Sequence, residues 1–399
     1  MSWDETTLGD HIDVISGPAF KSAQFTENKD DVPLIKGENI AQGYIAWNKS
    51  RYWPRNELNE HRKYWLEPGD LVLAMDRPWI PAGLKWAEIQ GHDPLCLLVQ
   101  RVARIRARGE LHQRFLKYLI ASKGFSDYIQ NIMYGVNVPH ISGKQIKAFP
   151  FLLPDLPTQE RIAAILSAYD DLIENNRRRI ALLEQAARLL YREWFVHFRF
   201  PGHETAKFVD GLPEGWRMRA LSELAQITMG QSPKSEFYNN VGDGLPFHQG
   251  VTHYGFRFVE DKMFSTAITK LANAGDILFS VRAPVGRINY TLNNMVLGRG
   301  LSAFRSLSGH QSFLFYCLKS HFFKENLIGG GAIFAATNKK ELESLEVICP
   351  SEALVALFDE KASMIDAQIK ALSLKNRQLT KARDLLLPRL MDGRIPVKV

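Results

Sequence analysis

Apolar side chains recur every three or four residues along one stretch of this chain for far longer than an ordinary surface helix needs. From Ile162 the series runs through Leu166, Tyr169, Ile173, Ile180, Leu183, Ala187, Leu190 and Trp194, with Asn176 as its polar member. Alternating gaps of four and three mark a helix whose narrow stripe meets a second helix. No Gly or Pro interrupts the series before Pro201, which predicts a rod of about 40 residues, or ~60 Å. A second series, Phe358, Ile365, Leu372, Leu379 and Leu386, keeps strict seven-residue spacing. Its intermediate positions are read as Lys361, Gln368 and Lys375, and Pro388 is expected to end the helix. Such rods cannot bury their stripes on a small globular domain alone, so the two are natural partners. A long α+β segment separates them in sequence, which favours antiparallel pairing. Asn176 is then either a register-setting polar residue in the seam or a merely tolerated one.

Outside the rods the pattern shortens. Extended runs punctuated by Gly and Pro occur at 71–74, 96–107, 277–281 and 347–349, and helices are expected near 115–129 and 313–323. These segments repeat. Trp3, Gly17, Lys21 and Pro33 are matched by Trp216, Gly230, Lys234 and Pro246 at an offset of 213. Gly69-Asp70 is matched by Gly275-Asp276 at 206, and Gly135, Lys144 and Pro154 by Gly331, Lys340 and Pro350 at 196. The order holds while the offset drifts, as two copies of one unit with different loop insertions require. The expected fold is α+β: two pseudo-repeated domains, 1–155 and 201–350, alternating with long helices at 156–200 and 351–399 that pair as an antiparallel coiled coil.

Composition narrows the function by exclusion. The 399 residues are 45% hydrophobic and 23% charged, near the average for folded soluble domains, which argues against disorder. No apolar run is long enough to span a membrane, and the N-terminus has no signal-peptide pattern, so no membrane association is expected. Cys96, Cys317 and Cys349 fit neither a zinc spacing nor a disulfide framework, which suggests a reducing cytoplasm. A net charge of +7 suits a polyanionic partner without requiring one. Ser142-Gly143-Lys144-Gln145 is not a P-loop, and no GxGxxG, HExxH, paired CxxC, GxSxG or amino-methyltransferase motif is present. Asp359-Glu360-Lys361 reads as a solvated face, and Arg177-Arg178-Arg179 as solvated or subunit-facing. The chain carries no recognisable catalytic motif.

Taken in order, these pieces resemble the DNA-specificity (S) subunit of type I restriction-modification enzymes. Leu153-Pro154 and the run Pro157-Thr158-Gln159-Glu160-Arg161-Ile162-Ala163-Ala164-Ile165-Leu166 are similar to that family's entry into its central helix. Gly17–Ser22 with Pro33–Ile40 resembles the start of a target-recognition domain, and Gly230–Ser235 with Gly275–Gly286 resembles a second. The likeness covers nearly the whole chain; the second helix departs from it in opening on Pro350-Ser351-Glu352. It implies a non-catalytic subunit in which each globular domain reads one half of a bipartite sequence in double-stranded DNA. The helices would space the domains and dock two methyltransferase (M) subunits, with restriction/translocase (R) subunits joining. It implies no cofactor in this chain, S-adenosylmethionine, ATP and Mg belonging to the partner subunits. A fused or unrecognised enzyme and a protein-binding scaffold are the rival readings.

Within that frame, DNA contacts are sought where cations meet loops. In the first domain Arg77 follows the strand ending at Ala74, with Lys85 beyond it; the competing account pairs Arg77 with Asp76 and puts Trp79 and Trp86 in the core. Such a loop can present a guanidinium fork to guanine edges, and the matching loop of the second domain, richer in positive charge, offers Arg282 and Arg287. Asn137 and Lys144, and their counterparts Asn338 and Lys340, lie in Gly-containing strips that suit phosphate or serve as simple turns. Lys21 and Lys234 occupy equivalent positions and suit phosphate equally.

Overall fold

The helical periodicity becomes two unbroken helices of 40 residues, Leu156–Phe195 and Glu352–Met391. The computed structural model describes residues 3–133, 140–322 and 337–397. The chain forms two compact units: Met1–Asn175 with Lys375–Val399, and Asn176–Leu374. Each unit therefore holds one globular part and half of each long helix.

Burial along the second helix corrects its expected seam. The positions between the heptad residues are Ala362, Ile369, Asn376, Arg383 and Leu390, one residue beyond those anticipated; Lys361, Gln368 and Lys375 are exposed. Ala362 and Ile369 are fully buried, so the stripe alternates four and three as in the first helix. Pro388 lies inside the helix instead of ending it. A proline forfeits its own N–H and crowds the carbonyl four residues earlier, yet the turn persists: Asp392 N donates to the Pro388 carbonyl at 3.2 Å, and Leu390 and Met391 are buried there.

In the first unit, strands Ile12–Ser16, Val102–Ala107, Leu71–Ala74 and Trp86–Glu88 form one antiparallel sheet in that order. A second sheet orders Tyr52–Trp53, Val32–Ile35, Cys96–Leu98 and Trp65–Leu66, its middle pair parallel. The single run expected at 96–107 is thus two strands in different sheets, turned by Arg101 in the left-handed region (φ 64°). The helix expected at 115–129 is also two, Gln113–Ala121 and Lys123–Ile132; Ser122 Oγ accepts from Phe125 N and caps the second. Leu166 and Leu390 enter the core of this unit, and the helices run antiparallel here: Asn376 Nδ2 donates to the Ile173 carbonyl at 3.1 Å and Arg383 Nη1 to Asp170 Oδ1 at 2.7 Å. Against the upward pull of burial, Lys117 and Arg383 hold the Asp170 carboxyl below its ordinary value, while Tyr118 OH donates to it at 2.9 Å.

The second unit repeats the plan. Ala225–Met229, Leu301–Ser306, Ile277–Ser280 and Ile288–Tyr290 form one sheet; the other has Leu245–His248 parallel to Met295–Leu297 at its centre. Its core takes in Ile180, Phe358, Ile369 and Leu372, with Leu183 and Ile365 packed on it half-buried. Tyr191 and Trp194 meet Phe358 edge-on, so the helices run antiparallel here too. Asn176 is buried, and Leu379, in the first unit, is half-buried. Asp359, expected on a solvated face, instead accepts from Phe313 N at 2.9 Å and caps the helix Gln311–Phe322.

Hydrogen bonds show that the repeat is structural. Gln113 bridges Ala107 N (2.6 Å) and the Gly69 carbonyl (2.7 Å); Gln311 bridges Ser306 N (2.8 Å) and the Gly275 carbonyl (3.1 Å). Asp70 pairs with Arg106 and Asp276 with Arg305. A Cβ on Gly17 would lie 2.4 Å from the Val99 carbonyl carbon, and one on Gly230 2.1 Å from the Gly298 oxygen, so both positions demand glycine for close backbone approach.

One buried cluster ties the second unit's globular part to its helix segments. The Arg257 guanidinium is 2% exposed, donates to Glu184 at 2.7 and 3.0 Å and to Asp366 at 2.5 Å, and stacks 3.6 Å from the Phe315 ring centre. Lys319 also pairs with Glu184, and Ser312 and Tyr316 donate to Asp366. Burial pushes the Asp366 carboxyl above its ordinary value despite Arg257 and these donors.

Candidate nucleic-acid interface

In the first unit the strand Leu71–Ala74 delivers the chain to a loop pinned at both sides. Met75 N donates to the Arg101 carbonyl (2.8 Å) and Ile141 N to the Met75 carbonyl (2.7 Å). Asp76 is taken by Arg101 at 2.8 Å and by His140, not by Arg77. Arg77 is exposed, in the left-handed region at φ 42°, and has no ion pair among the described residues. Trp86 is buried in the core and Trp79 packs against it, as the competing reading had them. Lys85 points away from solvent: it is 9% exposed and donates to the Gly37 carbonyl at 2.7 Å. Burial draws its ammonium below the ordinary lysine value, opposed by Asp76.

The repeated lysines take matching places. Lys21 and Lys234 are exposed and immediately precede the short turns Ser22–Gln24 and Ser235–Phe237; Lys234 lies 3.8 Å from Glu236. Lys144 and Lys340 are exposed in the first turns of Gly143–Lys147 and Lys339–Glu343. Those helices are capped alike, by Ser142 with Gln145 and by Asn338 with Glu341. The Asn338 side-chain oxygen accepts from Glu341 N at 3.0 Å, so it holds its own helix. Asn137 lies outside the described residues.

In the second unit the loop after Ile277–Ser280 closes on Ser280, whose Oγ donates to the Pro284 carbonyl at 2.6 Å and accepts from Arg287 N at 2.9 Å. Val285 is drawn into the core, leaving Arg282 and Arg287 exposed. Beside the loop lies a cleft of about 140 Å³ bounded by Arg282, Gln249, Gly250, Ser280, Gly300 and Arg299. Arg299 and Gln249 escaped sequence reading; the only hint was the Gly298-Arg299-Gly300 triplet between a strand and its neighbour. Arg257 escaped it entirely. Among the described residues no cluster of three or more His, Cys, Asp or Glu is placed to hold a metal, and no helix is long and apolar enough to cross a membrane.

A duplicated α+β unit carrying cation-bearing loops, each copy packed on segments of two long helices, defines a two-part recognition protein. The family described as type I restriction modification DNA specificity domain matches residues 1–185 and 213–379, and the chain belongs to it. As a specificity subunit it carries recognition and not catalysis. It is 29% identical over 405 residues to the protein described as the type I restriction enzyme MjaX specificity subunit of Methanocaldococcus jannaschii, covering 99% of this chain and 94% of that one. The type I restriction enzyme HindI specificity subunit of Haemophilus influenzae is 26% identical over 354 residues, covering 70% and 77%. A solved type I S subunit from M. genitalium shares the fold, with a TM-score of 0.60 at 17% identity over 100% of this chain and 97% of that one.

Proposed function

We propose that this chain reads a bipartite sequence in duplex DNA, one half through each globular part, and brings methyltransferase and restriction/translocase subunits to it. Residues 1–155 and 201–350 serve as the target-recognition domains, and 156–200 and 351–399 as spacer and dock. The observation that carries the reading is the duplication itself: the same Gln–Gly–Asp–Arg hydrogen-bond set recurs with different loops attached. A constant scaffold with variable loops is what two independent half-sites need. Exposed Arg77, Lys144, Arg282, Arg287 and Lys340 supply the charge for phosphate and base contacts. Lys85 and Asn338 act through loop and cap structure.

The docking role rests on the helices. Leu182 and Leu189 are exposed seven residues apart on the first of them, with exposed Val196 just past its end, a row that the helix partner leaves uncovered. Two methyltransferase subunits take the helical region in this proposal, supplying S-adenosylmethionine chemistry, while restriction subunits supply ATP- and Mg-dependent steps. The assembly works in the cytoplasm, where its DNA is.

Exchanging residues 1–150 for the matching part of a relative tests the reading. In a host carrying the complete system, sequencing of methylated bases is expected to show one half of the target changed and the other kept. A change in both halves would overturn the modular assignment.

A further inference from the structure

The cleft of the second unit has a counterpart in the first, and the two differ in charge. Val281 N donates to the Gly300 carbonyl at 2.9 Å where Met75 N donates to the Arg101 carbonyl, so Gly300 and Arg101 are equivalent positions. In the first unit a carboxylate, Asp76, fills this corner, ion-paired with Arg101 and hydrogen-bonded to the His140 ring. In the second unit the corner holds two exposed arginines, Arg282 and Arg299, and neither has an acidic partner among the described residues. The wall behind them is backbone. A Cβ on Gly300 would lie 2.3 Å from the Gln249 carbonyl oxygen, and one on Gly298 2.6 Å from the Gln249 Cα, so main chain packs directly on main chain. The Arg299 amide is spent on Ser232 Oγ at 3.1 Å, which fixes the base of that side chain.

We infer that Arg282 and Arg299 together clamp a single backbone phosphate of bound DNA, making this cleft a register-setting contact and not a base reader. The inference rests on the DNA-recognition reading above. Three observations select phosphate. Guanidinium forks converge on tetrahedral oxyanions with two hydrogen bonds each. A volume of about 140 Å³ is well below the ~300–1,000 Å³ of small-molecule sites. Base edges in the major groove are reached by side chains that project from the surface, whereas a recess lined by glycine backbone receives something that projects into it. Arg282, left open by the sequence between base and phosphate contact, is thereby assigned to positioning.

The test uses the full-length chain and a labelled, random-sequence duplex of about 30 base pairs, titrated across a salt series. One phosphate contact contributes about 0.9 to the slope of log K against log salt. The double variant Arg282→Gln/Arg299→Gln is expected to lose about 0.9 from the slope, each single variant less. The double Lys variant is expected to keep it, since lysine retains the charge. Binding-site selection from the same duplex pool is expected to return the wild-type consensus. An unchanged slope, a loss near 1.8, or relaxation of one consensus base pair would overturn the clamp: respectively no contact, two separate phosphates, or a base reader. Thermal unfolding of the variants, expected to match wild type, guards against misfolding, and a variant that melts early is replaced by Arg299→Lys alone in the selection. Salt-independent behaviour of the wild-type chain would instead overturn DNA recognition itself.

Discussion

Replacing Arg257 by Met tests the packing of the second unit most severely, because the arginine bridges Glu184 and Asp366. Methionine keeps much of the stem's volume and takes the guanidinium away from both carboxylates. Removing one partner from a buried ion pair costs about 3–5 kcal/mol, because the charge left behind has lost water and partner alike. Here Lys319 still pairs with Glu184, and Asp366 keeps its bonds from Ser312 (2.7 Å) and Tyr316 (3.0 Å). The loss should therefore lie at the low end, about 3 kcal/mol. For a cooperative unit of this size each kcal/mol moves Tm by about 2–4 °C, giving a drop of about 6–12 °C by calorimetry. The sign of the pH dependence follows from Asp366. Its carboxyl is already above its unfolded value through burial, so its contribution is fully present below the unfolded value and is lost as pH rises through the folded one. Without Arg257 the folded value rises further, so lowering the pH toward the unfolded value should narrow the gap to wild type. A double variant that adds only Asp366→Asn should recover most of the loss, since Glu184 keeps Lys319 and no carboxylate is then left without a partner. A drop below about 1 °C at neutral pH, or a gap that ignores pH, would refute the account of this cluster.

Other parts of the fold give sharper readouts at less structural risk. Inserting four residues between Leu166 and Ile173 adds ~6 Å and roughly one helical turn, and is expected to lengthen the spacer of the methylated sequence by one or two base pairs while both half-sites persist. An unchanged spacer would mean that the helices are not the ruler. Ile180→Asp puts a charge at a position 6% exposed in the core and should cost about 3 kcal/mol; mass measurement of the assembly should show methyltransferase subunits lost, and a normal complex would count against the docking role. Gly230→Ala forces a methyl group against the Gly298 carbonyl and should lower stability by about 1–3 kcal/mol in denaturant titration, whereas Gly309→Ala, with open space around it, isolates the smaller cost of its positive φ alone. Equal losses in the two would remove close approach as the reason for glycine at Gly230.

Local pattern settled a good deal of this molecule. The long helices were legible because a four-three alternation of apolar residues has one physical solution, and the duplication because glycines and Gly-Asp turns recur wherever the same backbone path recurs. Pattern failed where the decisive neighbour lies far along the chain. A seven-residue spacing in the second helix leaves its intermediate positions ambiguous by one residue, and only packing against other elements selected Ala362 and Ile369 over Lys361 and Gln368. Pro388 looked like a stop because its cost is local, while the burial of Leu390 and Met391 that offsets it comes from residues at the start of the chain. The Cys96–Ala107 run read as one strand until Arg101 turned it between two sheets. Site chemistry divided in the same way. Exposed cations beside strand ends could be named from sequence, but whether each is free was decided by tertiary structure: Asp76 takes Arg101 and not Arg77, Gly37 takes Lys85, and Arg257 meets Glu184 and Asp366 across 73 and 109 residues of chain. Periodicity encodes which face of an element is buried; the partner that meets a charge is encoded only in the path of the whole backbone.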